Sequence, residues 1–317
     1  MRDLSKMQTE PAGLKEPTGL KEPTEPTEPT KKLALKKQGM FKEMWRRLRK
    51  STTGMIGLIL LGTMILIVLF GPVFIDQAEV TRQDMRNRFA PPSFESPLGT
   101  DHFGRDTLAR LIYGGRISLL IGFVTALASL AIGGTIGLVI SYYGGQIDNV
   151  IMRVVDVVAS IPTILLALAI VSALGSTLEN LLVAVAISRI PAFVRIVRAA
   201  VLNVVDMEYI EAAHAGGTSD VRIMTRHILP NIMGVVIVQT TMSMASLLLQ
   251  AAALSFLGLG IQPPNPEWGA MLNDAREYMR EHPRLMLFPG LCIVVATLSL
   301  NLLGDGFRDA FDPRLRS

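Results

Sequence analysis

The polar segment at residues 211–231 carries the side chains best suited to a binding role in this chain. It begins with Glu-Ala-Ala-His-Ala-Gly-Gly, ends with His-Ile-Leu-Pro-Asn, and separates two long apolar segments. Connections between packed helices are commonly about two to eight residues long and have no structure of their own. A charged, glycine-containing segment of this length is therefore predicted to dock on another protein.

Local signals divide this region, the elbow (residues 205–231), into two short helices. Residues 207–215 lack proline and favour a helix, and Gly216 and Gly217 can take the left-handed conformation that ends one. A second helix is predicted to run until Pro230 breaks or redirects it. The possible caps of that second helix are Thr218, Ser219 and Asp220.

The first elbow helix has a face suited to close contact. Small side chains at Ala212, Ala213 and Ala215 allow another surface to approach, and Glu211 gives the contact a fixed charge.

Metal binding and hydrolysis have little support in the sequence. The histidines, His102, His214, His227 and His282, lie in separate polar regions without paired ligand spacing, and Cys292 is the only cysteine. A membrane hydrolase would need a serine such as Ser255 beside a histidine, and no histidine lies at the predicted membrane depth.

Polar residues recur at helical spacing within the apolar segments. One set, at intervals of four, three and four residues, comprises Gln239, Ser243, Ser246 and Gln250. The others are Asp156 with Ser160 and Thr163, and Thr297 with Asn301. Because unpaired polar groups are costly in hydrocarbon, such sets either line a water-filled path or join neighbouring helices. The sequence leaves both roles open.

Single charged and proline residues in these segments have simpler predicted roles. Asp156 follows Arg153 by three residues, a spacing that allows a structural ion pair on one helix face. Arg189 is predicted to extend its charge to the nearby membrane interface rather than to bind substrate. Pro162 and Pro191 should kink their helices.

These residues require long membrane-spanning helices to position them. Half of the residues are apolar, at 50%, and the mean hydropathy is +0.39. Six spans are predicted, at about 53–75, 117–141, 154–174, 178–197, 232–257 and 286–304. Continuous apolar runs disfavour the alternating strands of a membrane barrel. The predicted fold class is an all-α, polytopic membrane protein, in which Gly133 and Gly137 allow two helix backbones to approach closely.

The N-terminal region predicts a cytoplasmic start. Glu-Pro-Thr occurs four times in the first 30 residues, a charged, proline-rich composition typical of disorder. Residues 31–50 hold nine lysines and arginines against one acid, Glu43. Such a cluster before a span indicates a cytoplasmic location and contact with anionic membrane lipid, and nucleic-acid binding is the weaker interpretation. No cleaved signal peptide is expected, because the first apolar run begins near Gly54.

Six spans then place both termini and the elbow in the cytoplasm. The predicted divisions are a tail at 1–50, a first span with an extracytoplasmic segment at 51–116, and a core at 117–306. A C-terminal tail follows at 307–317, with Arg308, Arg314 and Arg316.

Several motifs together resemble one family of transport proteins. The elbow contains Glu-Ala-Ala, a glycine six residues after Glu211, and His-x-Leu-Pro-Asn. The flanking motifs lie at 97–101, 104–106, 115–119, 254–260, 263–268 and 304–314. Residues 40–317 thus resemble the inner-membrane permeases of bacterial ABC importers, specifically the dipeptide/oligopeptide/nickel permease family.

The resemblance implies a type I ABC importer transmembrane fold with six helices. It implies that the elbow inserts a coupling helix into one or two cytoplasmic ABC ATPase subunits, and that the path lies between this chain and a homologous permease subunit. It also implies an extracytoplasmic substrate-binding protein. The matching coupling and supporting residues are Glu211, Ala212, Ala213, Gly217, Arg222, His227, Pro230 and Asn231. Candidate path residues are Asp156, Ser160, Gln239, Ser243, Ser246 and Gln250. His214 and Gly216 depart from the family pattern.

The lysine distribution indicates which subunit this chain is. A phosphate-binding Gly-x-x-x-x-Gly-Lys-Ser/Thr loop requires a lysine, and no lysine follows Lys50. The chain is therefore expected to be no enzyme and to hold no cofactor, with ATP and Mg²⁺ bound by partner subunits. Short peptides are the predicted substrate, with glutathione-like peptides and nickel chelates as alternatives. An ion-coupled secondary transporter using Asp156 is disfavoured by the elbow and by the lack of an evident inverted repeat.

Overall fold

A computed structural model describes residues 40–311. The Glu-Pro-Thr tail, residues 31–39 of the basic segment, and Arg314 and Arg316 lie outside these residues. Within 40–311 the chain is helical, and the pairing of Thr100 with Asp106 is an isolated bridge and not part of a strand.

The helices are numbered in chain order. They are α1 (Met40–Leu48), α2 (Thr52–Phe74), α3 (Gln77–Thr81), α4 (Thr107–Ser129), α5 (Thr135–Tyr143), α6 (Gly145–Ala159), α7 (Thr163–Leu174), α8 (Leu178–Leu202), α9 (Glu208–Ala215), α10 (Asp220–Ile223), α11 (Leu229–Phe256), α12 (Trp268–Ala275) and α13 (Arg284–Phe311). π-helical segments at Leu130–Gly134 and Met224–Ile228 join α4 to α5 and α10 to α11 without interrupting the helical path. Short 3₁₀ turns lie at Met85–Asn87 and Arg276–Tyr278.

Five helical stretches are long and apolar enough to cross a membrane. They are Thr52–Phe74, Thr107–Tyr143, Leu178–Leu202, Asp220–Phe256 and Arg284–Phe311. Each contains one of the predicted spans, which confirms five of the six positions. Pro191 lies inside α8, which continues to Leu202 as a single helix.

The remaining predicted span, 154–174, is corrected by the structure. It is divided between α6 and α7, which meet at an angle of 82° around the three residues 160–162. Pro162 has no backbone N–H and disfavours helical geometry in the residue before it, so the chain turns at this point instead of bending gently. Counted as one broken span, the two helices bring the candidate spans in the described chain from five to six.

The second span also begins earlier than predicted. α4 starts at Thr107, where Asp106 caps it by accepting a hydrogen bond from the Ala109 N–H at 2.6 Å. The hydropathy pattern did not include this first turn of α4 in the predicted span, because the turn contains Arg110. That side chain is 2% exposed, buried under polar segments that hydropathy does not take into account.

Glycines bring the helix backbones together within the bundle. A Cβ on Gly133 would lie 2.7 Å from the Ile190 carbonyl oxygen, and one on Gly137 would lie 2.6 Å from that of Val194. Such contacts exclude any side chain at these two positions. The predicted close approach is confirmed, and it occurs within the chain, between the α4–α5 helix and α8.

α2 and α13, the first and last long helices, form the most extensive helix pairing in the described part of the chain. A Cβ on Gly57 would lie 2.6 Å from the Leu303 nitrogen, and one on Gly54 would lie 2.9 Å from the Gly306 Cα. Only 11% of the most apolar stretch of α2 is buried, so this helix lies at the outside of the bundle.

A polar layer, the cap (residues 76–106 and 257–283), covers one end of the bundle. Arg105 of the first segment and Arg110 of α4 both approach the second segment, with guanidinium groups each 3.6 Å from the Asp274 carboxylate. Arg105 also donates to Asp101 at 2.6 Å. Burial lowers the pKa of the nearby His102 below its usual value.

Hydrogen bonds at the start of α12 hold the cap against α4. The Glu267 carboxylate accepts hydrogen bonds from the Gly269 and Ala270 N–H groups and from the Ser118 hydroxyl, each at 2.9 Å. The indole of Trp268 donates to the Leu111 carbonyl at 2.9 Å. The motifs at 115–119 and 263–268, distant in sequence, are therefore in contact.

The elbow lies at the opposite end, together with both ends of the described chain. Tyr142, at the end of α5, contacts Asp220 at the start of α10, and Phe311 lies against Gly234 near the start of α11. Arg47 of α1 donates to the Ala310 carbonyl at 3.2 Å. We call this the elbow end.

Candidate functional site

The first elbow helix, α9 (Glu208–Ala215), confirms the predicted helix over 207–215 to within one residue. It is anchored by Ile210, which is 1% exposed and packs in an apolar cluster with residues of α8, α10 and α11. Ile210 is the only buried residue of α9. Nearly the whole helix surface is therefore free to meet another protein.

The end of α9 is a Schellman motif, in which two N–H groups satisfy the last helical carbonyls. The Gly217 N–H donates to the His214 carbonyl at 2.9 Å, and the Thr218 N–H donates to that of Ala213 at 3.1 Å. Gly217 has φ +72°, whereas Gly216 has φ −76°. Of the two glycines that can take the left-handed conformation, Gly217 does so and Gly216 does not, because the motif requires a positive φ at one position only.

The second elbow helix does not end at Pro230, contrary to prediction. α10, the π-helical segment and α11 form one continuous helix from Asp220 to Phe256. Pro230 is in the first turn of α11, where a missing N–H costs least, and the π-helical segment immediately before it accommodates the ring. The Asn231 side chain donates to the His227 carbonyl at 2.6 Å, which fastens this junction.

A cluster that the sequence analysis missed ties the elbow to α5. The hydroxyls of Tyr142 and Tyr143 donate to the two Asp220 carboxylate oxygens, at 2.8 and 3.2 Å. The Tyr142 hydroxyl also lies 3.1 Å from Nε2 of His214. His214, a departure from the family pattern, therefore contacts the helix behind it. Ser219 occupies the cap position of α10, but its side chain makes no capping hydrogen bond.

A second fixed contact lies beside the elbow. Arg198, near the end of α8, donates through Nε to one Asp148 oxygen at 2.7 Å and through a terminal nitrogen to the other at 2.5 Å. Two parallel hydrogen bonds of this kind restrict orientation as well as distance. α8, which leads into the elbow, is thus held to α6.

The candidate coupling side chains are on the free surface of the elbow. Glu211, Ala212 and Gly217 are exposed, and Ala213 is partly buried against the apolar cluster. Among the supporting residues, Arg222 is exposed and has no hydrogen bond or ion pair within residues 40–311.

The polar set on α11 divides into different environments. Gln239 lines an open cavity of about 490 Å³ at the elbow end, together with Arg308 and Phe311. Ser243 is fully buried, whereas Ser246 is exposed. Gln250 joins helices, since its Nε2 donates to the Thr163 carbonyl at 3.2 Å and to the Ser188 hydroxyl at 3.1 Å. Cavity lining and helix joining therefore both occur in one stripe.

The predicted partner of Asp156 is corrected. Its carboxylate accepts a hydrogen bond from Arg195 of α8 at 2.8 Å, not from Arg153. Both side chains are about half exposed, at 58% and 49%. Ser160 is also exposed, with its hydroxyl donating to the Val157 carbonyl. An exposed ion pair within a spanning region indicates a polar environment on this face.

Arg189 is not at the end of its helix, contrary to prediction. It is the twelfth of the 25 residues of α8, and a terminal nitrogen lies 3.5 Å from the Ser243 hydroxyl. Its Nε is buried and has no hydrogen-bond partner in the described chain. The side chain therefore points between the helices and not to the membrane surface.

Hydrolytic and metal-site geometry are not found in the part of the chain that the structure describes. The Ser255 hydroxyl is buried and has no hydrogen-bond partner there, so it is not paired with a histidine. No group of three or more His, Cys, Asp or Glu residues in 40–311 is placed to hold a metal ion.

The described chain is a bundle of apolar helices, with an exposed elbow at one end and a polar cap at the other. This arrangement is typical of an integral membrane subunit that binds partner proteins. Family models support this class. Residues 118–317 match the binding-protein-dependent transport system inner membrane component, and residues 39–92 match the N-terminal TM domain of oligopeptide transport permease C. The chain belongs to the family of binding-protein-dependent inner membrane transport components.

Individual relatives agree with this assignment. The dipeptide transport system permease protein DppC of Alkalihalophilus pseudofirmus is 43% identical over 277 residues, covering 87% of this chain and 91% of the relative. The glutathione transport system permease protein GsiD of Pectobacterium atrosepticum is 44% identical over 278 residues, covering 87% and 92%. These relatives are subunits of peptide and glutathione transport systems by name.

A solved structure shares the fold. The inward-facing MetNI methionine ABC transporter has a chain that matches with a TM-score of 0.54 and 19% identity, over 64% of this chain and 97% of that one. The fold is that of a type I ABC importer transmembrane subunit, and the chain is a permease subunit of such an importer.

Proposed function

We propose that this chain forms half of a translocation path for short peptides and couples that path to cytoplasmic ATPases through α9. The other half is a homologous permease subunit, and one or two ABC ATPase subunits bind the ATP and Mg²⁺. An extracytoplasmic substrate-binding protein delivers the peptide to the cap end. The chain itself performs no catalysis.

One observation carries the coupling proposal. α9 is held to the bundle through Ile210 and Ala213 and through the contact of His214 with Tyr142. The exposed side chains of Glu208 and Glu211 have no hydrogen bond or ion pair within the described residues. A helix that is free on its outer face and fixed on its inner face can transmit movement in either direction. ATP binding shifts the permease between states only if the ATPases contact α9 differently in each state.

The proposed orientation places the elbow end in the cytoplasm. The basic residues before Lys50 lead into α1 and α2, which start at the elbow end, and Arg222, Arg226 and Arg308 lie at the same end. Positive charge concentrated at one end of a bundle favours its retention in the cytoplasm. The chain is then a multi-pass protein of the bacterial inner membrane with cytoplasmic termini.

Peptides are the substrate class with the best support. DppC and GsiD relatives are named for dipeptide and glutathione transport, and both cover nearly the whole of this chain. The cavity beside Gln239 and Arg308 supplies two polar side chains that can bind a peptide weakly and release it. Glutathione, itself a tripeptide, is the first alternative.

Substitutions in α9 test the proposal. In proteoliposomes holding the complete importer, Glu211→Ala and Gly217→Val should reduce dipeptide uptake at least about tenfold while ATP hydrolysis continues. The first removes the fixed charge of the contact, and the second places a β-branched residue at φ +72°, which costs roughly 1–3 kcal/mol. Mass spectrometry of the purified complex should identify a second permease, ATPases and a binding protein.

Two control variants test whether the effect is specific to the charge of Glu211 and to the backbone conformation of Gly217. Glu281→Ala removes an exposed carboxylate from the cap instead, and Gly217→Asn retains a residue that tolerates a positive φ. Both should transport at near the wild-type rate. Normal coupled uptake by Glu211→Ala and Gly217→Val would contradict the coupling role, and a chain that purified alone and transported under an ion gradient would contradict the importer.

A further inference from the structure

α8 carries three arginines, and only two of them have an acidic partner in residues 40–311. Arg195 pairs with Asp156 at 2.8 Å, and Arg198 pairs with Asp148 at 2.5 Å. No carboxylate in this part of the chain lies within ion-pair distance of Arg189. The arginine deepest in the helix is therefore the one without a counter-charge.

The polar contact that Arg189 makes in the described chain is with a neutral group. A terminal nitrogen of the guanidinium meets the Ser243 hydroxyl at 3.5 Å, and its Nε is buried without a partner in the described chain. The preceding residue, Ser188, accepts a hydrogen bond from Gln250 at 3.1 Å. A neutral hydroxyl from α11 is thus within reach of a guanidinium that lies midway along α8.

A guanidinium at membrane depth is costly unless an anion or water meets it. Arginine also has a planar fork of donors that fits a carboxylate with two parallel hydrogen bonds. The Arg189 Nε–H, which has no hydrogen-bond acceptor in the described chain, is one donor of that fork. The cluster therefore has the donors for a carboxylate and lacks the carboxylate.

We propose that Arg189, with Ser243 beside it, binds the terminal carboxylate of the transported peptide as it passes through the bundle. This rests on the proposed peptide transport function and names one site within it. The guanidinium donates two hydrogen bonds to the carboxylate, while the buried Ser243 hydroxyl accepts one from the guanidinium and holds it in place. A single cation among neutral groups holds the peptide weakly enough for release.

Transport by three variants tests this site. The assay uses proteoliposomes with the ATPases and a saturating amount of peptide-loaded binding protein. Arg189→Gln should lower uptake of a dipeptide with a free C-terminal carboxylate about tenfold, because a charge-assisted hydrogen bond is lost. Arg189→Lys, which keeps the charge, should recover most of the rate. Arg153→Gln removes an exposed arginine of α6 that has no ion pair in the described chain, and uptake should be unchanged.

Labelling of the wild-type complex provides an independent readout. Phenylglyoxal modifies accessible arginines, and mass spectrometry can follow modification of Arg189. A dipeptide with a free carboxylate should slow the modification, and the same dipeptide amidated at its C-terminus should not. Arg153 in the same sample should react equally with either peptide.

The outcomes separate the two proposals. Uptake by the wild type with an unaffected Arg189→Gln variant and no protection by peptide would overturn the carboxylate site and leave peptide transport intact. Arg189 that is unreactive even without peptide would be closed to small molecules and would also overturn the site. Failure of the wild type to transport any dipeptide would overturn both.

Discussion

At the residue scale, spacing along α11 predicted a polar stripe but not its division among environments. Gln239, Ser243, Ser246 and Gln250 recur as one helix face requires, and they lie respectively in a cavity, in the core, on the surface and against a neighbouring helix. A sequence gives the angle of a side chain around its own helix. It does not give the distance to the next helix, which decides between lining and joining.

Replacing the two glutamines one at a time distinguishes these roles. Gln239→Leu should slow peptide uptake while leaving thermal stability unchanged, because its amide lines an open cavity. Gln250→Leu should lower stability by about 1 kcal/mol, because the Thr163 carbonyl and the Ser188 hydroxyl each lose a donor. Uptake and thermal unfolding would be measured for both purified variants.

Gln146→Leu, at an exposed position on α6, is the control for adding apolar surface. A Gln250 variant with wild-type stability and slowed transport would assign that residue to the path instead of the packing.

Contacts between residues far apart in sequence were not predictable. Tyr142 and Tyr143 meet Asp220 across separations of 78 and 77 residues. Each of the three has an ordinary local interpretation as a helix-end or cap residue, so no short-range signal identifies the cluster. The same holds for Asp156, whose partner is 39 residues away on α8 and not three residues away on its own helix.

At the element scale, the sequence predicted helices well where apolar runs are continuous. It located α9 and the glycine that ends it, because a helix without proline followed by glycine is a strong local signal. It was wrong where tertiary contacts determine the result. The early start of α4 depends on the cap that covers Arg110, and the continuity through Pro230 depends on a π-helical segment.

The close packing of the α4–α5 helix on α8 gives a test of element geometry. Gly137→Val should destabilise the folded protein by about 1–3 kcal/mol, because its Cβ would lie 2.6 Å from the Val194 carbonyl oxygen and force the helices apart. Thermal unfolding in detergent would measure the effect. Gly62→Val in α2, where a Cβ meets no atom within 4 Å, is the matched control. Equal stability of the two variants would contradict the close approach.

At the scale of the whole molecule, motifs spread along the chain are brought together at two ends. At the cap, Arg105 contacts Asp274 and Ser118 contacts Glu267. The helix ends around Tyr142, Asp220 and Phe311 lie near the elbow. Resemblance to a family identified these motifs, whereas their contacts follow from the arrangement of the spans. The cap and elbow are therefore products of the fold as a whole, and neither is a separate folding unit.

The pairing of α2 with α13 makes the order of synthesis important. α2 leaves the ribosome first among the long helices, and its main partner leaves last, so α2 must wait in the membrane with its glycine face uncovered. A chain that stops before Arg284 should therefore be degraded rapidly in cells. A chain that stops after Phe311 retains α13 and should persist. Pulse–chase measurement of both lifetimes would show whether completion of the last helix is the step that protects the first.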